Sequence, residues 1–278
     1  MRFMSFSVDG RATYGRVTGG RVSDVGALPG APRDLRSALA AGTLDAIAAR
    51  ASQEHELASV SALPVIPMPA KILCVGHNYE THRRETGRAR AQHPSIFTRF
   101  GDTLVGNGAS LLRPSVSTMF DYEGELAVVI GEGGRNIEES NAMRHIAGFS
   151  CFNDGSVRDW QWHTSQFTPG KNFPRTAALG PWLVTPEEIR DLGSVTLTTR
   201  LNGAVVQQAC VKDMIFPVSR IIAYVSVFTE LSPGDVIATG TPGGVGAKRE
   251  PPLWMAPGDV VEVEIAEVGL LRNGICDA

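Results

Sequence analysis

The stretch Asp121-Tyr122-Glu123-Gly124-Glu125-Leu126-Ala127-Val128-Val129-Ile130-Gly131 constrains this chain more than any other. It passes without a break from alternating acids into an apolar run closed by glycine. Side chains at i, i+2 and i+4 of a strand share a face, so Asp121, Glu123 and Glu125 are expected to project together. Like charges held that close need a counter-charge. Two readings meet the need: hard oxygen ligands for a divalent cation such as Mg²⁺, Mn²⁺ or Ca²⁺, or an acidic edge turned to solvent.

The segments before that strand change period twice. Residues 1–30 alternate apolar and polar positions and break at Asp9-Gly10 and Gly19-Gly20, the pattern of short antiparallel strands joined by tight turns. Residues 33–61 carry leucines and alanines at helical spacing and are expected to be helical. The run Leu63-Pro64-Val65-Ile66-Pro67-Met68-Pro69 cannot continue a helix, so it marks a boundary between a small N-terminal unit, 1–69, and a larger one, 70–278. Beyond it, strands are expected at 71–76, 95–100, 146–152, 182–184, 195–201, 204–210, 235–240 and 259–265. Asn202-Gly203 is a strong hairpin turn, and helices are expected only at 137–145 and 216–231. Strands do not alternate with helices as a doubly wound sheet requires, so the fold class is mixed β with some α.

Bulk properties exclude several functions. A chain of 278 residues with 43% hydrophobic and 20% charged residues and a net charge of -3 has no basic excess for nucleic acid and none for an anionic membrane. Cys74, Cys151, Cys210 and Cys276 are far apart and form no C-x-x-C pair, which reads as reduced thiols of a cytoplasmic protein. The opening residues are too briefly apolar for a signal peptide, and no run approaches a membrane span.

Candidate chemistry lies in four further places. His82 and Glu85, three apart, share a face of a helical turn, where a carboxylate can orient an imidazole as a general base; the alternative is a solvated surface pair. His77, His93, His145 and His163 are assigned to structure or surface. Asp154 follows an apolar strand and needs a partner, which is either Arg158 or Lys171 as an ion pair, or a metal shared with Glu123 and Glu125. The loop 239–248 lacks the Gly-Lys-Ser/Thr ending of a phosphate cradle, leaving a tight backbone that a small ligand could approach, or a mere turn. The polar segment from Asn78 to about Gln92 has no apolar stripe and is expected to be a mobile lid.

Five motifs in order make the chain resemble the fumarylacetoacetate hydrolase family over roughly residues 70–270. They are Gly76-His77-Asn78-Tyr79-Glu80-Thr81-His82, Tyr122-Glu123-Gly124-Glu125-Leu126, Asn153-Asp154 through Arg158 to Gln161, Gly170-Lys171, and Thr239-Gly240-Thr241-Pro242 with Gly243 to Gly246. The resemblance implies a mixed β-roll with a small N-terminal α+β domain, and a homodimer. It implies Mg²⁺ or Mn²⁺ on Glu123, Glu125 and Asp154, His82 as base oriented by Glu85, and Lys171 and Gln161 at the developing oxyanion. Arg158, Thr241 and Gly240 are implied as substrate contacts, and Asp121 is left outside the metal shell. The implied activity is cleavage of a carbon-carbon bond in a small acylpyruvate-type 2-oxo acid, in catabolism of aromatic compounds or related organic acids. Decarboxylation, isomerisation, hydration, sugar-acid dehydration or a catalytically silent metabolite-binding role are the alternatives. The segment from Arg158 to Lys171, with Trp160, Trp162 and His163, departs from the family pattern and bears on the substrate.

Overall fold

A computed structural model describes all residues, 1–278, as two large sheets and one short two-stranded ladder, Phe120–Asp121 with Ser156–Val157, with few helices. The apolar run forms the strand Gly124–Ile130 at the centre, buried along its whole length. Alternation sends its side chains to opposite faces. Leu126, Val128 and Ile130 enter one core cluster, whereas Ala127 and Val129 enter the other. The neighbour Ile72–Gly76 divides in the same way, with Leu73 and Val75 on the first side and Ile72 and Cys74 on the second. A continuous apolar run is what a strand covered on both faces requires.

In the large sheet, Gly124–Ile130 lies between Ile146–Asn153 and Val236–Ala238, antiparallel to both. Val236–Ala238 pairs parallel with Ile72–Gly76, which pairs with the edge strand Ser95–Arg99. On the other side Ile146–Asn153 pairs with Ala177–Val184, and that strand pairs with Arg2–Val8 of the N-terminal segment. A second sheet of five strands, from Ala204–Cys210 through Thr196–Leu201, Val260–Ile265 and Gly269–Asp277 to Leu111–Arg113, covers one face.

Local turn chemistry explains the hairpins. Asp9 and Gly10, Gly19 and Gly20, and Asn202 and Gly203 all take positive φ, the conformation of the two-residue turns that match strand twist. The helix expected over 33–61 is broken into Leu35–Ala40 and Leu44–Ala48, with Gly42 at φ +62° between them, and is followed by the strand Glu54–Glu56. The segment 137–145 is a 3-10 helix, Glu139–His145, and the last helix spans Val218–Phe228. The proline run separates in sequence what one sheet joins in space. Phe3, Tyr14, Leu35 and Val65 share a core with Ile72, Phe152 and Leu183. No helix is long and apolar enough to cross a membrane.

Candidate active site

Three strand ends converge on one cavity because of how the central strands pair. The antiparallel register sets Gly124 opposite Asn153, so the residues just outside the ladder, Glu123 and Asp154, meet, and the Asp154 N–H donates to the Glu123 carbonyl at 2.8 Å. The third partner strand, Val236–Ala238, leads into Gly240, whose N–H donates to Glu125 Oε2 at 2.8 Å. Gly240 has φ +104°, and a Cβ there would lie 2.6 Å from the Asn78 Cβ, so no other residue could bring that N–H to Glu125.

Glu123, Glu125 and Asp154 are all buried, and one carboxylate oxygen from each lies within 4.8 Å of the others. Asp121 does not join them. The strand breaks at Tyr122 and Glu123, and the Asp121 carboxylate turns to the N–H groups of Gly246 (2.8 Å) and Ala247 (3.0 Å) and to Arg158 Nε (2.8 Å). It is fully buried, not an exposed edge. The common projection expected of the acidic alternation therefore holds only for Glu123 and Glu125.

Three cations answer these four acids. Lys171 Nζ lies 2.6 Å from both Glu123 Oε2 and Asp154 Oδ2. Arg158 Nη2 donates to Glu123 Oε1 at 2.6 Å, and Arg99 Nη1 to Asp154 Oδ1 at 2.5 Å. Glu125 receives no cation. Burial and the neighbouring Asp154 and Glu123 charges push its carboxyl well above the usual carboxylate range. Burial acts the same way on Glu123, but Lys171 and Arg158 overcome it and hold that carboxyl well below its ordinary value. Burial alone would lower the Lys171 ammonium, and Asp154 and Glu123 more than offset it.

That imbalance is the test of fit for a metal. Three converging oxygens on strand ends, one from a carboxyl that has no cation of its own and whose ionised form only an added positive charge would stabilise, are the donor set a hard divalent cation takes. The residues present fit such an ion, and Glu123, Glu125 and Asp154 would hold it.

On the opposite wall His82, 5% exposed, sits in the short helix Glu80–Glu85. Its Nδ1 is 2.7 Å from Glu85 Oε1, and Glu85 Oε2 accepts from the Gly244 N–H at 2.8 Å. The Gly243 N–H donates to Thr81 Oγ1 at 3.0 Å, so the glycine loop pins the helix from two points. The first part of the expected lid is thus anchored, and Gly87 to His93 are exposed. The cavity, of about 120 Å³, is lined by His82, Glu123, Glu125, Arg158, Gln161, Lys171 and Thr241, and also by His77, Arg88 and Lys248.

One of the expected substrate contacts, Gly240, is committed inside the protein. The Gly240 N–H serves Glu125, and Gly240 is not on the cavity wall. Arg158 reaches the cavity wall, where three of its five N–H groups donate to Asp121, Glu123 and Gln161 Oε1 and so brace the carboxylates. Thr241 stays on the wall with its hydroxyl donating to the Gly124 carbonyl and accepting from Gln207 Nε2. Sequence reasoning missed Arg99, whose short bonds to Asp154 and Thr176 reach 55 and 77 residues along the chain, and His77. His77 takes φ +56°, stacks on His82 with ring centroids 5.2 Å apart, and is lowered to about 4 by burial and by the His82 charge. The one local signal for Arg99 is a charge ending the strand Ser95–Arg99.

Comparison with known proteins agrees with this architecture. The family model for fumarylacetoacetate (FAA) hydrolase C-terminal matches residues 71–276. The chain belongs to the fumarylacetoacetate hydrolase family. It is 38% identical over 265 residues to the mitochondrial oxaloacetate tautomerase FAHD2A of Homo sapiens, covering 92% of this chain and 84% of the relative. Among solved structures it is similar to the fumarylacetoacetate hydrolase of psychrophilic Exiguobacterium antarcticum, with TM-score 0.87, 34% identity and full coverage of both chains. It is also similar to the maleylpyruvate hydrolase of Sphingobium sp. SYK-6 in complex with manganese(II) ion and pyruvate, with TM-score 0.82, 26% identity and full coverage of both.

Proposed function

We propose that the protein is a Mg²⁺- or Mn²⁺-dependent enzyme that moves a proton at the carbon beside the carbonyl of a small 2-oxo acid. Keto–enol interconversion of an oxaloacetate-like diacid is the leading reaction. The observation that carries this reading is that His82, oriented by Glu85, and two of the three converging carboxylates, Glu123 and Glu125, line the same small cavity, with Asp154 buried beside them. When bound there, the divalent ion supplies Lewis-acid polarisation of the 2-oxo acid's oxygens.

The protein's own groups do the proton work. Glu85 accepts the Nδ1 proton of His82, which leaves Nε2 with its lone pair to take a proton from the substrate carbon. Gly244 holds Glu85 in turn, so the imidazole keeps one tautomer and one orientation. As the carbon loses its proton, negative charge grows on the keto oxygen, and the Lys171 ammonium on the wall, held in place by Glu123 and Asp154, stabilises it through its charge. Return of the proton to oxygen completes the conversion.

Cleavage of an acylpyruvate is the second reading, and Gln161 favours it. Arg158 Nη1 donates to Gln161 Oε1 at 2.8 Å, which leaves the amide NH₂ free as a donor to a tetrahedral oxyanion. In that reaction His82 deprotonates a water instead of the substrate. The intact His82–Glu85 pair argues against a silent binding role. We infer a homodimer as well, supported by Phe100 and Phe228, each 55% exposed, beside the edge of the large sheet; sedimentation tests it.

The deciding experiment follows oxaloacetate and acetylpyruvate by NMR with Mg²⁺ or Mn²⁺ present. Accelerated keto–enol interconversion of oxaloacetate is the expected result. Cleavage of acetylpyruvate without that acceleration would replace the leading reading by the second, and inertness toward both would sink the two together.

A further inference from the structure

The cavity has a charged mouth that the proton chemistry does not use. Arg88 follows the short helix that carries His82, and Lys248 ends the 3-10 helix Gly246–Lys248 of the glycine loop. Both line the cavity, both are exposed, and neither forms an ion pair. By comparison, Arg83 and Arg84 on the same short helix are tied to Glu80, at 2.7 and 2.8 Å. The Arg88 charge is felt inside the cavity, where it helps lower His77. Two unneutralised cations from separate segments, facing one opening, repel each other until an anion lies between them.

We propose that Arg88 and Lys248 form the subsite for a second negatively charged group of the substrate, so that the protein selects 2-oxo dicarboxylates over 2-oxo monocarboxylates. The inference rests on the 2-oxo acid reading above and deepens it. Glu123, Glu125 and Lys171 are the buried part of the cavity wall, and Arg88 and Lys248 are its solvent-exposed part. A molecule with its 2-oxo acid end at the buried part therefore presents its far end to these two side chains. A carboxylate there accepts charge-assisted hydrogen bonds from both, and the guanidinium can take it through two parallel N–H groups. The bridging anion also ties the segment after the short helix to the glycine loop, adding a third link to those made by Thr81 and Glu85. Substrate charge would thereby close the mouth that uncharged substrate leaves open.

The test compares two substrates that differ by one carboxylate. Hydrogen–deuterium exchange at C3 of oxaloacetate and of pyruvate is followed by NMR in D₂O with Mn²⁺-loaded protein. Wild type is expected to prefer oxaloacetate in kcat/KM. Arg88→Gln and Lys248→Gln should each cut that preference about tenfold, the scale of one hydrogen bond to a charged group. The loss should appear in KM and shrink with added salt. Lys248→Arg should restore most of it. An exposed cation away from the cavity, Arg50, serves as the control for net charge, and Arg50→Gln should leave the preference intact.

Equal losses on both substrates, or no preference in wild type, would overturn the subsite. Absence of exchange on both would overturn the proposed proton chemistry instead. In that case titration of oxaloacetate and pyruvate into the Mn²⁺-loaded protein, read by fluorescence of the cavity-lining Trp162, still decides the subsite. Tighter oxaloacetate binding that Arg88→Gln and Lys248→Gln abolish supports it, and equal binding of the two acids refutes it.

Discussion

Asp24 and Asp154 are both buried, and each sits at the end of a strand, Arg21–Asp24 and Ile146–Asn153. Their surroundings differ. Asp24 is a single acid answered by Arg11 Nη2 at 2.5 Å, Thr13 Oγ1 at 2.6 Å and the Ala27 N–H at 3.1 Å, with His55 Nε2 at 3.6 Å. Its charge is matched where it stands. Asp154 is held by Arg99 and shares Lys171 with Glu123, and it is Glu125 beside them that has no cation. A buried carboxylate is costly unless paired, so one fully paired acid is a structural feature, whereas acids outnumbering their cations beside a cavity mark a place built for another positive charge. Burial is common to both, and charge balance separates them.

The largest expected effect is on metal binding. Glu123→Gln and Asp154→Asn should each weaken Mn²⁺ binding in calorimetry by more than about 10²-fold, beyond the usual cost of removing a group that only supports a ligand. Asp24→Asn should leave that affinity unchanged, and an equal loss there would erase the distinction between the two acids. Next comes His82→Ala, which should lower turnover of the active 2-oxo acid by at least about 10²-fold with metal binding retained, and Glu85→Gln should produce a smaller loss. If His82→Ala turns over normally, the base lies elsewhere in the cavity.

Stability should respond in the opposite sense. Asp24→Asn removes a charged, hydrogen-bonded acceptor and should cost about 1–3 kcal/mol in denaturant titration with turnover intact. Metal should stabilise the wild type by about 2.7 kcal/mol at 100 times its dissociation constant, and stabilise Asp154→Asn hardly at all. The smallest effect concerns His77, held at about 4 in the folded protein by burial and by His82. The unfolded chain takes up that proton near pH 6.5. Between those values the unfolded state binds more protons than the native one, so stability falls as pH drops from about 6.5 toward 4. Melting temperature against pH should show this slope, and His77→Asn, which tolerates the positive φ, should flatten it. An unchanged slope would remove His77 from the account.

Much of the candidate site was legible because its chemistry is written in residue types at short range. Glu123 and Glu125 flank a glycine at the mouth of an apolar strand, Asp154 follows a second such strand, and His82 and Glu85 are one helical turn apart. Those spacings needed no knowledge of the rest of the chain. The role of Gly240 was harder, because it was read as facing substrate and its N–H turns instead to Glu125, and the bonds from Arg158 to Asp121 and Glu123 were not read at all. An arginine carries five donors, and only the fold says which acceptors reach them.

By itself the sequence determined most of the long strands, the positive-φ hairpin turns, and which acids and which imidazole are available, since each depends on a few neighbouring residues; the strands Glu54–Glu56, Leu111–Arg113 and Gly269–Asp277 were not among those expected. Only the tertiary structure decided which strand ends meet. The pairing of Gly124 with Asn153 brings Glu123 to Asp154, Val236–Ala238 supplies the Gly240 donor, and Arg99 arrives from the sheet edge as the counter-charge. It also decided that residues 1–69 extend the large sheet, through Arg2–Val8 on Ala177–Val184. Backbone hydrogen bonds are chemically alike in every strand, so the choice of neighbour is made by burying both faces of the central strands at once, a condition that involves the whole chain.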